Sequence, residues 1–338
     1  MKSAIAECHK IDEIKLIRDK AEAIRYALIQ AKESPEWIRQ AEEIKLRAER
    51  KAGEILKETV REPEEGRPEK VYEGSTLNKM KIDRHQSSNW QNIAEIPEEQ
   101  FEDYIKKQKE ITTSGAVKIA KKLKTLEQRK ELAEKGKGVK LDKSIDLRLG
   151  DFRNVLSDIE PINLILTDPP YTAEYLPLWG DLAKFAKNKL KDNGYLIAYS
   201  GQYHLPQVIN YLSSELDYIW TFCLYHEGNT QIVNNVNVIC RWKPILIFQK
   251  GKTKFKDTIQ DYIILDKREK GYHNWQQGLP AIQKFIEYFT NPGDIVCDPF
   301  SGSGTVLLAC KNSNRLFIGA EINIENYNIT KERTQNGL

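Results

Sequence analysis

The sequence predicts an α/β fold, in which a largely parallel sheet carries helices on both faces, preceded by an all-α N-terminal region. Two observations lead to this prediction. From about Asp142 onward, short apolar runs alternate with helical patterns and turn residues, which is typical of βαβ units. Before that point, residues 13–57 are rich in Ala, Glu, Lys and Ile at helical spacing. We therefore expect a helical region over residues 1–140 and an α/β domain over residues 141–338.

Composition narrows the class of protein. The chain has 338 residues, of which 40% are hydrophobic and 30% charged, and a net charge of +3 permits nucleic-acid binding without requiring it. No apolar run approaches the roughly 18 residues of a membrane span, and the N-terminus becomes charged too early for a signal peptide. The five cysteines are scattered and lack metal-ligand spacing. We expect a cytoplasmic protein with reduced thiols, no membrane association and no metal site.

The N-terminal region begins with two predicted helices. The first carries an apolar stripe of Ile14, Ile17, Ala21, Ile24, Ala27 and Leu28. Ser34 and Pro35 then form a helix start, with Ser34 as N-cap and Pro35 in the first turn. We interpret this segment as an antiparallel helical pair, with a coiled-coil dimerisation arm as the alternative. A charged linker rich in Pro and Gly follows at residues 60–74.

Residues 75–96 have the proportions of a helix-turn-helix and resemble the small DNA-binding segments of phage and plasmid proteins. Asp83 is expected to cap the second helix, with Trp90 and Ile93 packed inward. Side chains able to reach bases or phosphates are Gln86, Ser87, Asn89 and Gln91. Helix packing without DNA contact gives the same pattern, so that alternative stays open.

The first chemical motif follows the apolar strand at residues 162–167 and consists of Asp168-Pro169-Pro170-Tyr171. Proline donates no ladder hydrogen bond, so the chain must turn at the carboxyl end of the strand, where α/β sheets bind their ligands. The Asp168 carboxylate and the Pro169 carbonyl are then fixed acceptors beside the aromatic ring of Tyr171. Such a site suits methylation of the exocyclic amine of a nucleobase. A strand-ending turn with a capping Asp and a packed Tyr is the structural alternative.

The second motif is a short apolar strand that ends in Asp298-Pro299-Phe300-Ser301-Gly302-Ser303-Gly304-Thr305 and opens a helix. An acid, Glu321, ends the next strand, which is the plan of a nucleotide-binding βαβ unit. The glycine spacing differs from G-x-G-x-x-G and suits a nucleoside without a pyrophosphate, such as S-adenosylmethionine. Gly302 and Gly304 would admit its methionine part, Glu321 its ribose and Phe300 its adenine edge.

Together the two motifs resemble those of the DNA amino-methyltransferases. The catalytic motif precedes the cofactor motif, an order similar to the permuted β class, and Gly150-Asp151 matches the family's cofactor-contacting acid. The resemblance covers about residues 144–338 and implies a Rossmann-like S-adenosylmethionine-dependent methyltransferase sheet. It implies catalytic roles for Asp168, Pro169, Pro170 and Tyr171. It implies cofactor contacts from Asp151, Asp298, Phe300, Ser301, Gly302, Ser303, Gly304, Thr305 and Glu321.

In this family Asp-Pro-Pro-Tyr is commoner among adenine-N6 enzymes, whereas cytosine-N4 enzymes more often carry Ser first. The resemblance therefore implies site-specific methylation of a flipped-out adenine in double-stranded DNA. Target recognition is expected within residues 220–276, with Arg241 and Lys243 as DNA-contact candidates. Residues 272–275 precede the cofactor unit and are expected to line its pocket.

Several alternatives remain open at this point. The target could be cytosine N4 or an RNA amine. The alternative outside the enzymes is a DNA-binding regulator without catalytic activity. A dehydrogenase is disfavoured because the glycine spacing is wrong for a dinucleotide. Homodimer formation and a cognate restriction nuclease are undecided, as is the recognition sequence.

Overall fold

A computed structural model describes residues 5–59, 77, 81–226, 231–233, 236–251, 255, 258–265 and 279–336. The chain divides into two units, Met1–Gln128 and Arg129–Leu338. The boundary between the units falls upstream of the expected residue 140, inside a long helix. In the described ranges, no helix is both long and apolar enough to span a membrane.

Helices make up the described secondary structure before residue 137. Their bounds are α1 (Ile11–Gln30), α2 (Pro35–Thr59), α3 (Arg84–Ala94), α4 (Glu98–Lys107) and α5 (Thr113–Gly136). Helices α1 and α2 pack against each other, and the Glu36 amide donates to Ser34 Oγ (3.3 Å) at the start of α2. Ile14 and Ala21 are buried as expected, but Ile24 is 53% exposed, so the buried stripe of α1 is shorter than predicted.

Helix α3 begins where the sequence places it. The Asp83 side chain accepts from the Gln86 amide (2.7 Å), and the Gln86 side chain accepts from the Asp83 amide, which forms a complete capping box. Trp90 and Ile93 are buried. The first helix of the expected helix-turn-helix and the linker before it fall on residues 60–80, where all except Leu77 lie outside the described residues.

The second unit is built on an eight-stranded sheet with the order β1-β10-β9-β2-β3-β7-β4-β8. Its strands are β1 (Ile145–Leu149), β2 (Ile162–Thr167), β3 (Leu190–Tyr199), β4 (Asp217–His226), β7 (Trp242–Gln249), β8 (Tyr262–Leu265), β9 (Ile295–Asp298) and β10 (Leu316–Glu321). The five strands from β1 to β3 in this order run parallel, and β7 is antiparallel to its neighbours β3 and β4. A separate hairpin joins β5 (Gln231–Val233) to β6 (Val238–Cys240).

Helices cover both faces of this sheet, which confirms the predicted fold class. They are α6 (Phe152–Val155), α7 (Leu176–Lys189), α8 (Leu205–Ser213), α9 (Leu279–Phe289), α10 (Thr305–Asn312) and α11 (Ile324–Asn336). Helices α9 and α10 cover one face, where the core includes Leu164, Leu166, Val296, Ile282, Phe285 and Leu307. Helices α7 and α8 cover the other, where the core includes Ile165, Leu196, Cys297, Leu182 and Leu212. The residues of each strand alternate between these two clusters because successive side chains point to opposite faces.

Three elements differ from their sequence patterns, which predict a turn at residues 192–194, one strand over residues 236–248 and a helix over residues 152–159. Strand β3 starts before the expected turn, because Asn193 (φ 67°) donates its amide to the Lys250 carbonyl (2.7 Å) and accepts at its own carbonyl from Gln249 Nε2 (3.1 Å). These bonds keep the chain in the sheet. Strands β6 and β7 are interrupted at Arg241 instead of forming one strand. Helix α6 ends at Val155, since Leu156 leaves the helical region (φ −107°, ψ 13°).

Candidate active site

The two motifs meet at one edge of the parallel sheet. Strand β2 pairs with β9 through Leu164 and Val296, so the turns that follow both strands emerge side by side. Strands β10 and β1 run in the same direction beyond β9. The carboxyl ends of four strands therefore gather their polar side chains at the edge where such sheets bind ligands.

A buried hydrogen bond joins the two motifs. Thr167 Oγ1 donates to Asp298 Oδ1 (2.6 Å), and the Phe300 amide donates to the same oxygen (3.0 Å). Burial raises the pKa of Asp298 to about 7, with a smaller contribution from the Asp168 and Glu321 charges, while the two hydrogen bonds oppose the rise. Asp298 thus holds the base of the cofactor turn against β2.

The glycine turn, residues 301–304, is held by hydrogen bonds to the strand ends beside it and to helix α11. Gly302 (φ 54°) donates its amide to Glu321 Oε2 (2.8 Å), and Gly304 (φ 81°) caps helix α10, which Thr305 begins. Ser301 is buried, and its Oγ donates to the Asp298 carbonyl (3.0 Å). The Ser303 carbonyl accepts from Arg333. The left-handed backbone at the two glycines brings the turn back toward the strand end that carries Glu321.

A cavity of about 530 Å³ opens beside this turn. Pro170 of the first motif lines it on one side, and Phe300 and Glu321 of the second line it on another. Further lining residues are Gly150, Asp151, Phe152, Arg153, Glu174, Tyr175, Pro177, Leu178, Asp181, Pro299, Ala320 and Ile322. The Phe152 and Phe300 rings are in contact, with centroids 5.1 Å apart. Aromatic walls with carboxylates at the strand ends fit a nucleoside, whose base is flat and whose ribose offers hydroxyl donors.

Two backbone amides hold the carboxylate of Glu321 in place. Its Oε2 accepts from Gly302 and its Oε1 accepts from the Asn323 amide (2.7 Å). A carboxylate offers about four lone-pair sites, so these two bonds fix its orientation and leave capacity for ribose hydroxyls. The residues present are therefore compatible with S-adenosylmethionine in this cavity.

Two ion pairs of one arginine connect residues that line the same cavity. Arg153 donates to both oxygens of Asp151 (3.0 and 2.6 Å) and to Asp181 Oδ2 (2.8 Å). Its hydrogen bonds hold the pKa of Asp151 below the usual range. Sequence reasoning identified Asp151 but neither Arg153 nor Asp181. The position of Arg153 in the first turn after Asp151 was a local signal for the first contact, whereas Asp181 lies on α7 and could be found only in three dimensions.

The turn that carries the predicted catalytic residues 168–171 follows β2 directly. Asp168 is exposed at the strand end, and Pro169 is buried. Burial and the charge of Asp168 raise the pKa of Tyr199, which ends the neighbouring strand β3. The ring of Tyr171 packs against the core on the α7 side, and Lys243 Nζ lies 5.1 Å from its centroid. This cation–π contact between the first motif and the start of β7 was missed from sequence.

The expected DNA contacts of the first unit have different environments. Ser87 is buried, and its Oγ accepts from Gln91 Nε2 (3.0 Å), because it lies three residues before the buried Trp90 on the same helix face. Gln86 serves the capping box, and Asn89 is half-buried. The buried Ser87 is therefore a correction to its expected accessibility.

The second expected group lies at the start of β7. Arg241 is exposed and Lys243 is half-buried. Residues 272–275, expected at the cofactor pocket, lie outside the described residues. In the part of the chain that is described, no cluster of three or more His, Cys, Asp or Glu side chains could hold a metal ion.

Comparison with known families agrees with this geometry. A family model described as DNA methylase, N6_N4_Mtase, matches residues 162–332, about half of the chain. The chain belongs to this DNA methylase family. Its members use S-adenosylmethionine, which confirms the cofactor expected from sequence. The family name covers both N6 and N4 amino-methylation, so membership leaves the target base undecided.

Two curated relatives are type II methyltransferases. M.HindIII of Haemophilus influenzae is 37% identical over 124 residues, which cover 34% of this chain and 38% of that protein. M.HpaI of Haemophilus parainfluenzae is 26% identical over 215 residues, which cover 51% of this chain and 68% of that protein. The match thus spans well under half of the first relative. A solved structure, the M1.HpyAVI–SAM complex, is 25% identical with a TM-score of 0.49, covering 56% of this chain and 98% of that one.

Proposed function

We propose that the protein is a site-specific DNA adenine-N6 methyltransferase that uses S-adenosylmethionine. The observation that carries this proposal is the shared cavity, which touches Pro170 of the first motif and Phe300 and Glu321 of the second. A cofactor held against the second motif would lie next to the turn that presents Asp168. Cofactor and target would then meet at one strand edge.

The proposed cofactor-binding residues that line the cavity are Asp151, Phe300 and Glu321. The turn from Ser301 to Thr305 follows Phe300 in the chain, and its residues do not line the cavity. When bound, S-adenosylmethionine supplies an electrophilic methyl group on a positively charged sulfur. Asp151 and Glu321 offer acceptors for nucleoside N–H and O–H groups. Phe300 offers an aromatic surface for the adenine ring.

The chain's own contribution to catalysis is acceptance of hydrogen bonds from the amine. The lone pair of an exocyclic amine is delocalised into the base, which makes the nitrogen a weak nucleophile. The Asp168 carboxylate and the Pro169 carbonyl would accept its two N–H groups and favour a pyramidal nitrogen with a localised lone pair. These bonds strengthen as positive charge develops on nitrogen, so they stabilise the transition state more than the ground state.

Tyr171 would hold the target base outside the duplex. The amine of a paired base is inaccessible inside the helix, so the nucleotide must rotate out before reaction. A base stacked on the Tyr171 ring would present its amine toward Asp168, three residues earlier in the same turn. Stacking on an aromatic side chain tolerates any base, so the choice of base must come from hydrogen bonds.

We propose adenine rather than cytosine as the target base because the first motif begins with Asp168, as is commoner in adenine-N6 enzymes of the family, and not with Ser. The alternatives are cytosine N4, an RNA amine, and a regulator without activity. Residues 220–276 are proposed as the target-recognition segment, with Arg241 and Lys243 contacting DNA. A cytoplasmic location, a homodimer and a partner nuclease are compatible with this role, but the proposed reaction requires none of them.

Product analysis tests the proposal. The full chain is incubated with S-adenosylmethionine labelled in the methyl group and with mixed-sequence duplex DNA, and the modified nucleoside is identified after digestion. Asp168→Ala should lower the rate by at least about a hundredfold, while cofactor binding by equilibrium dialysis stays within about twofold of wild type. Label in N4-methylcytosine would overturn the target. No label on DNA or RNA, with intact cofactor binding, would favour the regulator.

The helical region is proposed to add DNA affinity. The capped helix α3 and the exposed lysines of α5 (Lys118, Lys121, Lys122 and Lys124) motivate this role. Replacing these four lysines with Gln should weaken duplex binding and reduce its salt dependence. Unchanged affinity and activity would contradict the role, and circular dichroism of the variant controls for loss of the helices.

A further inference from the structure

Lys243 is held above the catalytic turn by the backbone on both sides of it. The Trp242 carbonyl accepts from Gln202 Nε2 (2.8 Å), and the Pro244 carbonyl accepts from the Ser200 amide (3.0 Å). Both donors lie in the segment that follows β3. The start of β7 is thus tied to the adjacent strand end, and the Lys243 ammonium is 5.1 Å from the centroid of the Tyr171 ring.

The Tyr171 ring has fixed neighbours elsewhere. It packs against the apolar cluster that includes Trp179 and Val208, and its hydroxyl is buried. Gly201 lies so close that a Cβ there would be 3.2 Å from Tyr171 Cβ. The apolar cluster and Gly201 are parts of the packed core and of the backbone, so a ligand cannot readily displace them. Lys243 is half-buried, and its ammonium ends a flexible four-carbon stem, so it is the neighbour that a ligand can displace.

We propose that Lys243 covers Tyr171 in the free protein, that the flipped base displaces it, and that the displaced ammonium then binds the DNA phosphate beside the flipped nucleotide. The inference rests on the proposed function, since it requires a target base in DNA. An ammonium over a ring and a base stacked on the same face exclude each other. A phosphate attached to the flipped nucleotide is the anion closest to an ammonium leaving that position, and Lys is a common phosphate ligand.

This exchange assigns Lys243 two successive partners. In the free protein the cation keeps the aromatic face covered, and in the complex it contributes to affinity. Arg241, which is exposed and lies two residues earlier, would bind phosphate without the exchange. The two basic residues are therefore predicted to differ in one measurable respect, namely contact with the ring before DNA arrives.

The experiment uses the full chain and the recognition duplex identified by mapping modified bases in DNA from cells that express the protein. Lysines are labelled with ¹³C at Cε, and the Lys243 signal is assigned by its loss in Lys243→Arg. In the free protein this signal should show an upfield ring-current shift that disappears in Tyr171→Leu. Adding duplex and S-adenosylhomocysteine should abolish the shift. A signal that keeps its shift in the saturated complex would overturn the exchange.

Salt dependence tests the phosphate contact. The slope of log affinity against log salt concentration should become shallower by about 0.9 in Lys243→Met, the value for one phosphate contact. Lys243→Arg should restore it, and Lys184→Met on the exposed side of α7 should leave it unchanged. An equal slope in Lys243→Met and wild type would refute the contact. If wild type modifies no DNA, the proposed function fails instead, and the two failures are distinguishable.

Discussion

Thr167 donates a 2.6 Å hydrogen bond to Asp298 across 131 residues of sequence, and it is the last strand residue before the catalytic turn. Asp298 is the first residue of the cofactor turn. One buried contact therefore fixes the spacing between the segment that presents Asp168 and the segment that lies against the cavity. A shift of either turn would have to break it.

Thr167→Val removes this donor with little change in shape. We expect a loss of about 1–3 kcal/mol in the free energy of unfolding at pH 8, because a buried carboxylate then keeps only the Phe300 amide of its two donors. The loss should be smaller at pH 5, where Asp298 is protonated. Urea denaturation at both pH values measures it. Thr125→Val, which removes a hydroxyl bonded to the Lys121 carbonyl at an exposed site, should cost under about 0.5 kcal/mol. Equal losses for the two variants would refute the assignment.

The pKa of Asp298 makes stability depend on pH. In the unfolded chain this carboxyl ionises near 3.8, whereas in the folded protein it keeps its proton until about pH 7. The folded state binds the extra proton, so the contribution of Asp298 to stability falls as pH rises from 4 to 7 and is constant above 7. The fall is on the order of 4 kcal/mol.

Asp298→Asn isolates this contribution. The variant keeps the oxygen that Thr167 and Phe300 contact and removes the titration, so its stability relative to wild type should increase between pH 4 and pH 7. Denaturation at unit pH intervals measures the trend. Asp192→Asn, on a 93% exposed side chain, controls for the change in net charge. A difference that is the same at every pH would contradict the raised pKa.

Two physical effects favour glycine at position 304, namely a positive φ and the close approach of Thr330, and a comparison with Gly293 separates them. Its φ of 81° disfavours any side chain, and a Cβ would lie 2.5 Å from Thr330 Cγ2. Gly293 has a similar φ of 86° but open space around it. Gly293→Ala should cost about 1–2 kcal/mol for the backbone alone, and Gly304→Ala about 1–3 kcal/mol more.

Thr330→Ser should relieve part of the cost of Gly304→Ala. Serine lacks the clashing methyl group and keeps the hydroxyl that bonds the Gly302 carbonyl (3.0 Å). A double-mutant cycle from thermal or urea unfolding measures the coupling. Strict additivity of the two substitutions would show that the clash does not limit this position.

Arg153 is predicted to influence the relative affinity of the protein for S-adenosylmethionine and S-adenosylhomocysteine. Arg153→Met leaves Asp151 and Asp181 without the cation between them, so the lining of the cavity becomes more negative. The positively charged S-adenosylmethionine should then gain roughly two- to fivefold over the uncharged S-adenosylhomocysteine, a range set by exposed charges. Calorimetric titration of both ligands gives the ratio. Arg153→Lys keeps the charge and should keep the ratio; a ratio that is the same in all three proteins would refute the effect.

Local chemistry explains which features were predictable. Strand β2 is a largely apolar run followed by Asp168 and two prolines, and the capping box at Asp83 is set by a spacing of three residues. Such signals lie within a few residues of each other, so they are readable from sequence. Both motifs lie at one sheet edge because parallel strands end there, whereas their adjacency depends on the pairing of β2 with β9, which the sequence did not predict.

Features that depend on packing between distant segments were not predictable. Nothing near Arg153 in sequence indicates Asp181, and nothing near Tyr171 indicates Lys243. Ile24 fits the helical stripe of α1, yet it is exposed because periodicity does not show how much of a stripe a neighbouring helix covers. Ser87 is the instructive exception, since its spacing of three from Trp90 placed it on the buried face.

The order of the strands has a consequence for synthesis of the chain on the ribosome. Strand β2 lies between β3 and β9, and the second partner is translated roughly 6–26 s later at common elongation rates. Until then one edge of a largely apolar strand has no native partner and is open to pairing with other nascent chains. We expect slower elongation to lengthen this exposure and chaperone supply to raise the yield of folded protein.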